Sequence, residues 1–144
     1  QRTLESELRS QKPGIFIFID VDNFKNYNDR YGHNVGDLCL THFARTMKKS
    51  FPDDSILGRY GGDEFVAYLK NASSESAQQY MLYFQEQVAH MDLPSGETIE
   101  LSASAGGAAF PKQGEDFISL CRSADIALYD VKRNGKAAFK MKGH

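Results

Sequence analysis

Ser55-Ile56-Leu57-Gly58-Arg59-Tyr60-Gly61-Gly62-Asp63-Glu64-Phe65-Val66-Ala67-Tyr68-Leu69 is the stretch on which the fold depends. Ser55–Tyr60 and Glu64–Leu69 read as strands, because both carry β-branched or aromatic residues in short runs bounded by turn formers. Gly61-Gly62-Asp63 between them reads as a tight hairpin turn, since adjacent glycines reach backbone conformations closed to other residues. A hairpin makes this pair antiparallel, so any sheet that contains it is not purely parallel.

Upstream, Ile15-Phe16-Ile17-Phe18-Ile19 is a continuous apolar run, the pattern of a strand buried on both faces. Pro13-Gly14 separates it from Gln1–Gln11, where Leu4 and Leu8 mark an amphipathic helix. The run ends in Asp20-Val21-Asp22, and Asn23 is placed to cap a short helix through Arg30 that Tyr31-Gly32-His33-Asn34 breaks. A longer helix is predicted over Asp37–Ser50, with Leu38, Phe43 and Met47 facing inward. Another is predicted from Ser73, its cap, to about His90, with Met81, Phe84 and Val88 on its apolar side. Thr98–Phe110 reads as two strands joined through Gly106-Gly107. Asp116–Arg122 and Asp125–Arg133 read as helices, and Ala137–Met141 as a closing strand. Intermixed strands and helices with one hairpin predict an α/β (α+β) domain with a mixed sheet covered by helices.

A length of 144 residues suits one domain with its own core. Seventeen basic and nineteen acidic residues leave a net charge of -2, which is no footprint for nucleic acid or for an anionic membrane surface. Bound phosphate would therefore need a local site. Cys39 and Cys121 fall far apart inside predicted helices, with neither metal-ligand spacing nor a disulfide framework, so a reducing cytoplasmic setting is expected. His33, His42, His90 and His144 show no metal-ligand spacing either.

Chemistry concentrates in two clusters. In Asp20-Val21-Asp22-Asn23-Phe24-Lys25, two carboxylates end a buried strand, where they are costly unless paired. A helix starts immediately after them, so backbone N–H groups at Asn23, Phe24 and Lys25 form a phosphate cradle. Carboxylates and a nearby carbonyl are hard ligands suited to Mg²⁺ or Mn²⁺. An EF-hand is excluded, because Phe24 and Lys25 occupy the positions where that loop needs an oxygen ligand and a glycine. The alternative is that Asp20 and Asp22 only cap the helix. The second cluster is Gly61-Gly62-Asp63-Glu64-Phe65, whose adjacent acids would be relieved by a shared cation. Taken by itself it is equally a solvated turn.

The two clusters together resemble the GGDEF family of diguanylate cyclases. Gly61-Gly62-Asp63-Glu64-Phe65 spells the family motif. Asp20–Lys25 with Asn28-Asp29, Tyr31-Gly32-His33 with Gly36-Asp37, Ser104-Ala105-Gly106, and Ala127-Leu128-Tyr129 with Lys132 follow in the family's order, from about Gly14 to Phe139. The resemblance implies a palm-like fold with a five-stranded mixed sheet and the motif on a β-hairpin. It implies the joining of two GTP molecules into cyclic di-GMP with release of pyrophosphate. Each domain of a head-to-tail homodimer would hold one GTP. Asp20, the Val21 carbonyl and Asp63 would hold Mg²⁺ or Mn²⁺, with a further contact from Glu64. Asp63, supported by Glu64, would act at the attacking hydroxyl, while Gly61 and Gly62 let the turn approach substrate closely. Asn28 and Asp37 would read guanine, and Lys132 and Lys136 would contact the triphosphate from one side of a helix end.

Three departures stand out. Lys136 replaces the family's usual Arg and so loses bidentate geometry. Pro52 and Ser55 stand where many members carry the Arg and Asp of a product-inhibition motif. The family's Asp-x-Leu-Thr-Gly-Leu-x-Asn-Arg signature is absent before the first helix, which leads to the expectation of a piece of a longer signalling protein with an upstream sensory or dimerisation domain. That parent could be membrane-anchored. Competing readings are a catalytically silent GTP- or cyclic di-GMP-binding module, a metal-dependent GTPase or other nucleotidyl transferase, and a structural domain.

Overall fold

The computed structural model describes Leu4, Leu8, Arg9 and residues 12–143. Most of the helix expected over Gln1–Gln11, and His144, lie outside the described residues, but Leu4 and Leu8 are helical and buried. In order the elements are β1 (Gly14–Val21), α1 (Phe24–Tyr31), α2 (His33–Ser50), β2 (Ile56–Arg59), β3 (Glu64–Lys70), α3 (Ser74–Val88), β4 (His90–Asp92), β5 (Thr98–Glu100), β6 (Ala103–Phe110), α4 (Phe117–Arg133) and β7 (Phe139–Met141).

The main sheet runs β2-β3-β1-β6-β7, and β4-β5 form a separate two-stranded ribbon. β1 is central and antiparallel to both β3 and β6, while β7 joins β6 in parallel. The sheet is therefore mixed, as the hairpin required. Every residue of β1 is buried, because both of its faces are covered. Its odd positions, Ile15, Ile17 and Ile19, pack with Phe43 and Met47 of α2 and Met81, Phe84 and Val88 of α3. Its even positions, Phe16 and Phe18, pack with Leu120, Ala124 and Leu128 of α4. Alternation along one strand thus separates two apolar layers, and Asp20, also even, falls on the α4 side.

Four local expectations are corrected. α2 begins at His33 rather than Asp37, directly after Gly32, whose φ of 92° breaks the chain from α1. Leu38 is exposed, because the helical period puts Gly36, Cys39, Leu40, Phe43 and Met47 on the inner face. Gly106 and Gly107 are not a turn but the middle of β6; the chain breaks instead at Leu101-Ser102. α4 is one continuous helix, capped by Asp116 accepting from the Ser119 N–H, and Ser123 stays within it by donating to the Gln113 carbonyl at 2.7 Å.

The glycines of β6 are required by close packing. A Cβ at Gly106 would lie 2.2 Å from the Ala124 carbonyl oxygen and 2.3 Å from the Leu128 nitrogen, so α4 sits with its backbone directly on the sheet. Ser73 does cap α3, in a reciprocal arrangement with Ser76.

Candidate active site

The site forms where β1 ends beside the start of β3. Asp20 pairs in register with Glu64, and the Val21 N–H donates to the Asp63 carbonyl at 3.1 Å. Backbone pairing therefore carries Asp63 and Glu64 to the carboxylates of β1. The turn before them differs from the two-glycine hairpin expected. Tyr60 to Asp63 span the gap between β2 and β3, and the Glu64 carbonyl accepts from both the Tyr60 and Gly61 N–H groups. Neither Gly61 nor Gly62 has a positive φ. A Cβ at Gly61 would meet Glu64 Oε1 at 2.7 Å, a side-chain end that can swing aside, whereas Gly62 faces open space.

Arg59, which the sequence reading did not single out, braces this turn. Its Nη2 donates to the Gly62 carbonyl at 2.6 Å and its Nε to the Gly61 carbonyl at 3.2 Å. Its signal was its place two residues before the first glycine.

Asp20 is buried and ion-paired through Oδ2 with Lys132 of α4, while its Oδ1 is buried without a partner. Burial pushes its carboxyl pKa up; Lys132 opposes this, and Asp63 and Asp22 add to the rise. Glu64 is raised for the same first reason, burial, reinforced by the charges of Asp20 and Asp63. For Lys132 burial works downward, but the hydrogen bond it donates to Asp20 and the charges of Asp20, Asp63 and Glu64 outweigh it and hold the ammonium protonated. Three carboxylates and one lysine thus share one electrostatic neighbourhood.

Asp22, which the sequence grouped with Asp20, is different. It is buried and saturated by donors, from Ser102 Oγ, Ser104 Oγ and the Ala137 N–H. Asn23 stands at the N-cap of α1 but does not cap it. Its φ is 58°, its side chain makes no cap hydrogen bond, and its Oδ1 accepts from Lys136 Nζ at 3.0 Å. Phe24 is half-buried and packs α1 against the core, and Lys25 is exposed on its first turn. Lys136 is not on the helical face of Lys132. α4 ends at Arg133, and Lys136 lies beyond it with a φ of 64°, yet both ammonium groups reach the end of β1.

Asn28 and Asp37 sit apart from this cluster, on α1 and α2. Asn28 Oδ1 is buried and unpartnered, and a Cβ at Gly36 would fall 1.7 Å from it. Asp37 is exposed at the mouth of a cleft of about 420 Å³ between α2 and the β2-β3 hairpin, lined also by Leu40, Thr41, Met47, Leu57 and Arg59. An apolar cleft with a carboxylate at its edge suits a planar base.

Among the described residues, no three His, Cys, Asp or Glu side chains are grouped closely enough to hold a metal ion as they stand. The donor set nevertheless fits a hard cation. Asp20 keeps a buried oxygen unpartnered, Asp63 and Glu64 lie within electrostatic reach of it, and Lys132 already supplies positive charge at its other oxygen. Among the described residues no helix is long and apolar enough to cross a membrane.

A sequence model described as the diguanylate cyclase GGDEF domain matches residues 1–138. Diguanylate cyclase DosC of Escherichia coli is 35% identical over 138 residues, which are 94% of this chain and 30% of that protein. The chain spans between 30% and 36% of the length of three such curated relatives. The crystal structure of the GGDEF domain of YfiN (also called TpbB) from Pseudomonas aeruginosa superposes with a TM-score of 0.93 at 28% identity, covering 99% of this chain and 92% of that one. The active GGEEF domain of a diguanylate cyclase from Vibrio cholerae superposes with a TM-score of 0.86 at 29% identity, covering 100% of this chain and 97% of its own. The Gly61–Phe65 motif, the mixed sheet that carries it and these matches agree: the chain belongs to the GGDEF family of diguanylate cyclase domains.

Proposed function

We propose that this chain condenses two GTP molecules into cyclic di-GMP and two pyrophosphates. The observation that carries the reading is a buried Asp20 carboxylate oxygen with no partner, within electrostatic reach of Asp63 and Glu64, with Lys132 held protonated at its other oxygen. Such a site is built for a cation and for phosphate rather than for packing, where an unpartnered buried oxygen is a net cost.

Asp20, the Val21 carbonyl, Asp63 and Glu64 would hold Mg²⁺ or Mn²⁺, with Lys132 yielding Asp20 Oδ2. When bound, that ion would neutralise charge on the α-phosphate and on the departing pyrophosphate. The chain's own residues do the rest. Lys132 and Lys136 grip the triphosphate, and the N–H groups at the start of α1 add dipole and hydrogen bonds. The guanine enters the cleft with Asp37 accepting from its N1–H and N2 amine and with Asn28 beside it, a donor pair that adenine lacks. Arg59 keeps the Gly61-Gly62 turn in place, open to substrate. Asp63 takes the proton from the 3′-hydroxyl of a GTP held by a second copy. The new bond joins that oxygen to the α-phosphorus, the α–β bridging bond breaks, and pyrophosphate leaves. A second, symmetric attack closes the ring. One domain holds one GTP, so a head-to-tail pair is required, and an upstream sensory or dimerisation domain would supply it.

The test is incubation of concentrated protein with GTP and Mg²⁺ or Mn²⁺, with Asp63→Ala alongside. Cyclic di-GMP from the wild type and none from the variant supports the reading. GTP binding without product, even after fusion to a dimerising helix, would replace it with a silent binding module.

A further inference from the structure

We propose that Asp22 is a positioning residue for the triphosphate end of the site. Its buried carboxylate latches the chain at Ala137 and so sets Lys136 against the start of α1. The inference rests on the reading of Lys136 as a triphosphate contact. Asp20 and Asp22 look equivalent in sequence, and the structure separates them. Asp20 keeps a buried oxygen unpartnered, while Asp22 has both oxygens engaged within the protein. Asp22 Oδ1 accepts from Ser104 Oγ at 2.6 Å. Its Oδ2 accepts from Ser102 Oγ at 2.7 Å and from the Ala137 N–H at 3.1 Å. The Ala137 N–H also reaches Ser104 Oγ at 3.1 Å.

What this carboxylate holds is a strained piece of chain. Gly135, Lys136 and Ala137 have φ values of 108°, 64° and 53°, and two of the three carry a Cβ. Such residues persist in the left-handed region only where their surroundings impose it. On one side the Lys136 N–H donates to the Val131 carbonyl at 3.0 Å, and on the other Asp22 takes the Ala137 N–H. The run folds the chain back after α4, so that Lys136 Nζ meets Asn23 Oδ1 at 3.0 Å. Latch and lysine act on adjacent residues: Asp22 holds Ala137, and Asn23 meets Lys136.

The experiment measures affinity for the α,β-methylene analogue of GTP with Mg²⁺, so that no turnover is needed. Asp22→Ala should weaken binding about tenfold, the worth of one charge-assisted hydrogen bond, as should Lys136→Ala. The double variant should bind no worse than Lys136→Ala, because both changes remove one contact. Asp22→Asn should stay within about twofold of wild type, since its amide oxygen can keep Ser102 and Ala137 while its nitrogen donates to Ser104. If Asp22→Ala does not fold, Ser104→Ala removes one of the two acceptors of Ala137; it should cost about two- to threefold alone and nothing in the Lys136→Ala background. Wild-type binding by Asp22→Ala, losses that multiply in the double variant, or loss of Mg²⁺ dependence in Asp22→Asn would each overturn the assignment. A wild type that binds no analogue removes the functional reading and this inference together, whereas intact wild-type binding with an unaffected Asp22→Ala removes this inference alone.

Discussion

Adding one methyl group at Gly106 should unseat α4 and, with it, Lys132. The new Cβ would stand 2.2 Å from the Ala124 carbonyl oxygen and 2.3 Å from the Leu128 nitrogen. Ordinary contact begins near 3.4 Å, so relief needs a shift of 3.4 − 2.2 = 1.2 Å against backbone atoms, which no rotamer change supplies. Overpacking of this kind costs about 1–3 kcal/mol. At roughly 2 kcal/mol, a domain of this size should melt about 4–8 °C lower. Lys132 follows Leu128 by one helical turn and pairs with Asp20, so affinity for GTP should fall in parallel. Two controls sharpen the reading. At Gly107 the clash is with the side chains of Met141 and Phe139, which can move, so Gly107→Ala should cost less. At Gly62 a Cβ meets nothing within 4 Å, so Gly62→Ala should melt with the wild type. Thermal melts followed by circular dichroism read all three. An unchanged melting point for Gly106→Ala would refute the seating of α4 on β6.

Further predictions follow from the same geometry. Gly36→Ala should push the Asn28 side chain out of place, weakening GTP binding several-fold with little change in urea midpoint; like Asp37→Ala, it should narrow the preference for GTP over ATP in competition binding. Burial, aided by the charge of Asp125, pushes the Cys121 thiol up to about 11, so at pH 8 only about one thiol in a thousand is ionised against about a quarter for a free cysteine. Cys39 is fully buried with its thiol also raised, so iodoacetamide at pH 8 should label neither until urea is added, as read by mass spectrometry. Pro52 and Ser55 offer no Arg-Asp pair for product, so initial rates should show no noncompetitive inhibition by cyclic di-GMP that depends on Asp53 or Asp54.

The hairpin and the buried strand were legible because both write their pattern into consecutive residues: Ile15–Ile19 is apolar throughout, and Gly61-Gly62 punctuates two β-rich runs. The readings that failed depended on what packs across the chain. Gly106-Gly107 looks like a turn in sequence and is a strand interior paired with β1 and β7, with the backbone of α4 close against Gly106 and the side chains of Phe139 and Met141 close against Gly107. Leu38 is apolar yet exposed, since the buried stripe of α2 runs through Gly36, Cys39, Leu40, Phe43 and Met47. In the site, the resemblance to the GGDEF family grouped Asp20, Asp63 and Glu64, but nothing local says that Asp22 belongs to Ser102, Ser104 and Ala137, 80 to 115 residues away. Likewise Lys136 reaches Asn23 through a left-handed run that no helical period predicts.

The most direct measurement is the stoichiometry of the reaction of concentrated protein with GTP and Mg²⁺ or Mn²⁺, with nucleotide products and released phosphates quantified together. The account predicts one cyclic di-GMP and two pyrophosphates for every two GTP consumed, with a rate that rises more steeply than in proportion to protein concentration. GDP with inorganic phosphate, at a rate simply proportional to protein, would contradict it and mark the site as a GTPase.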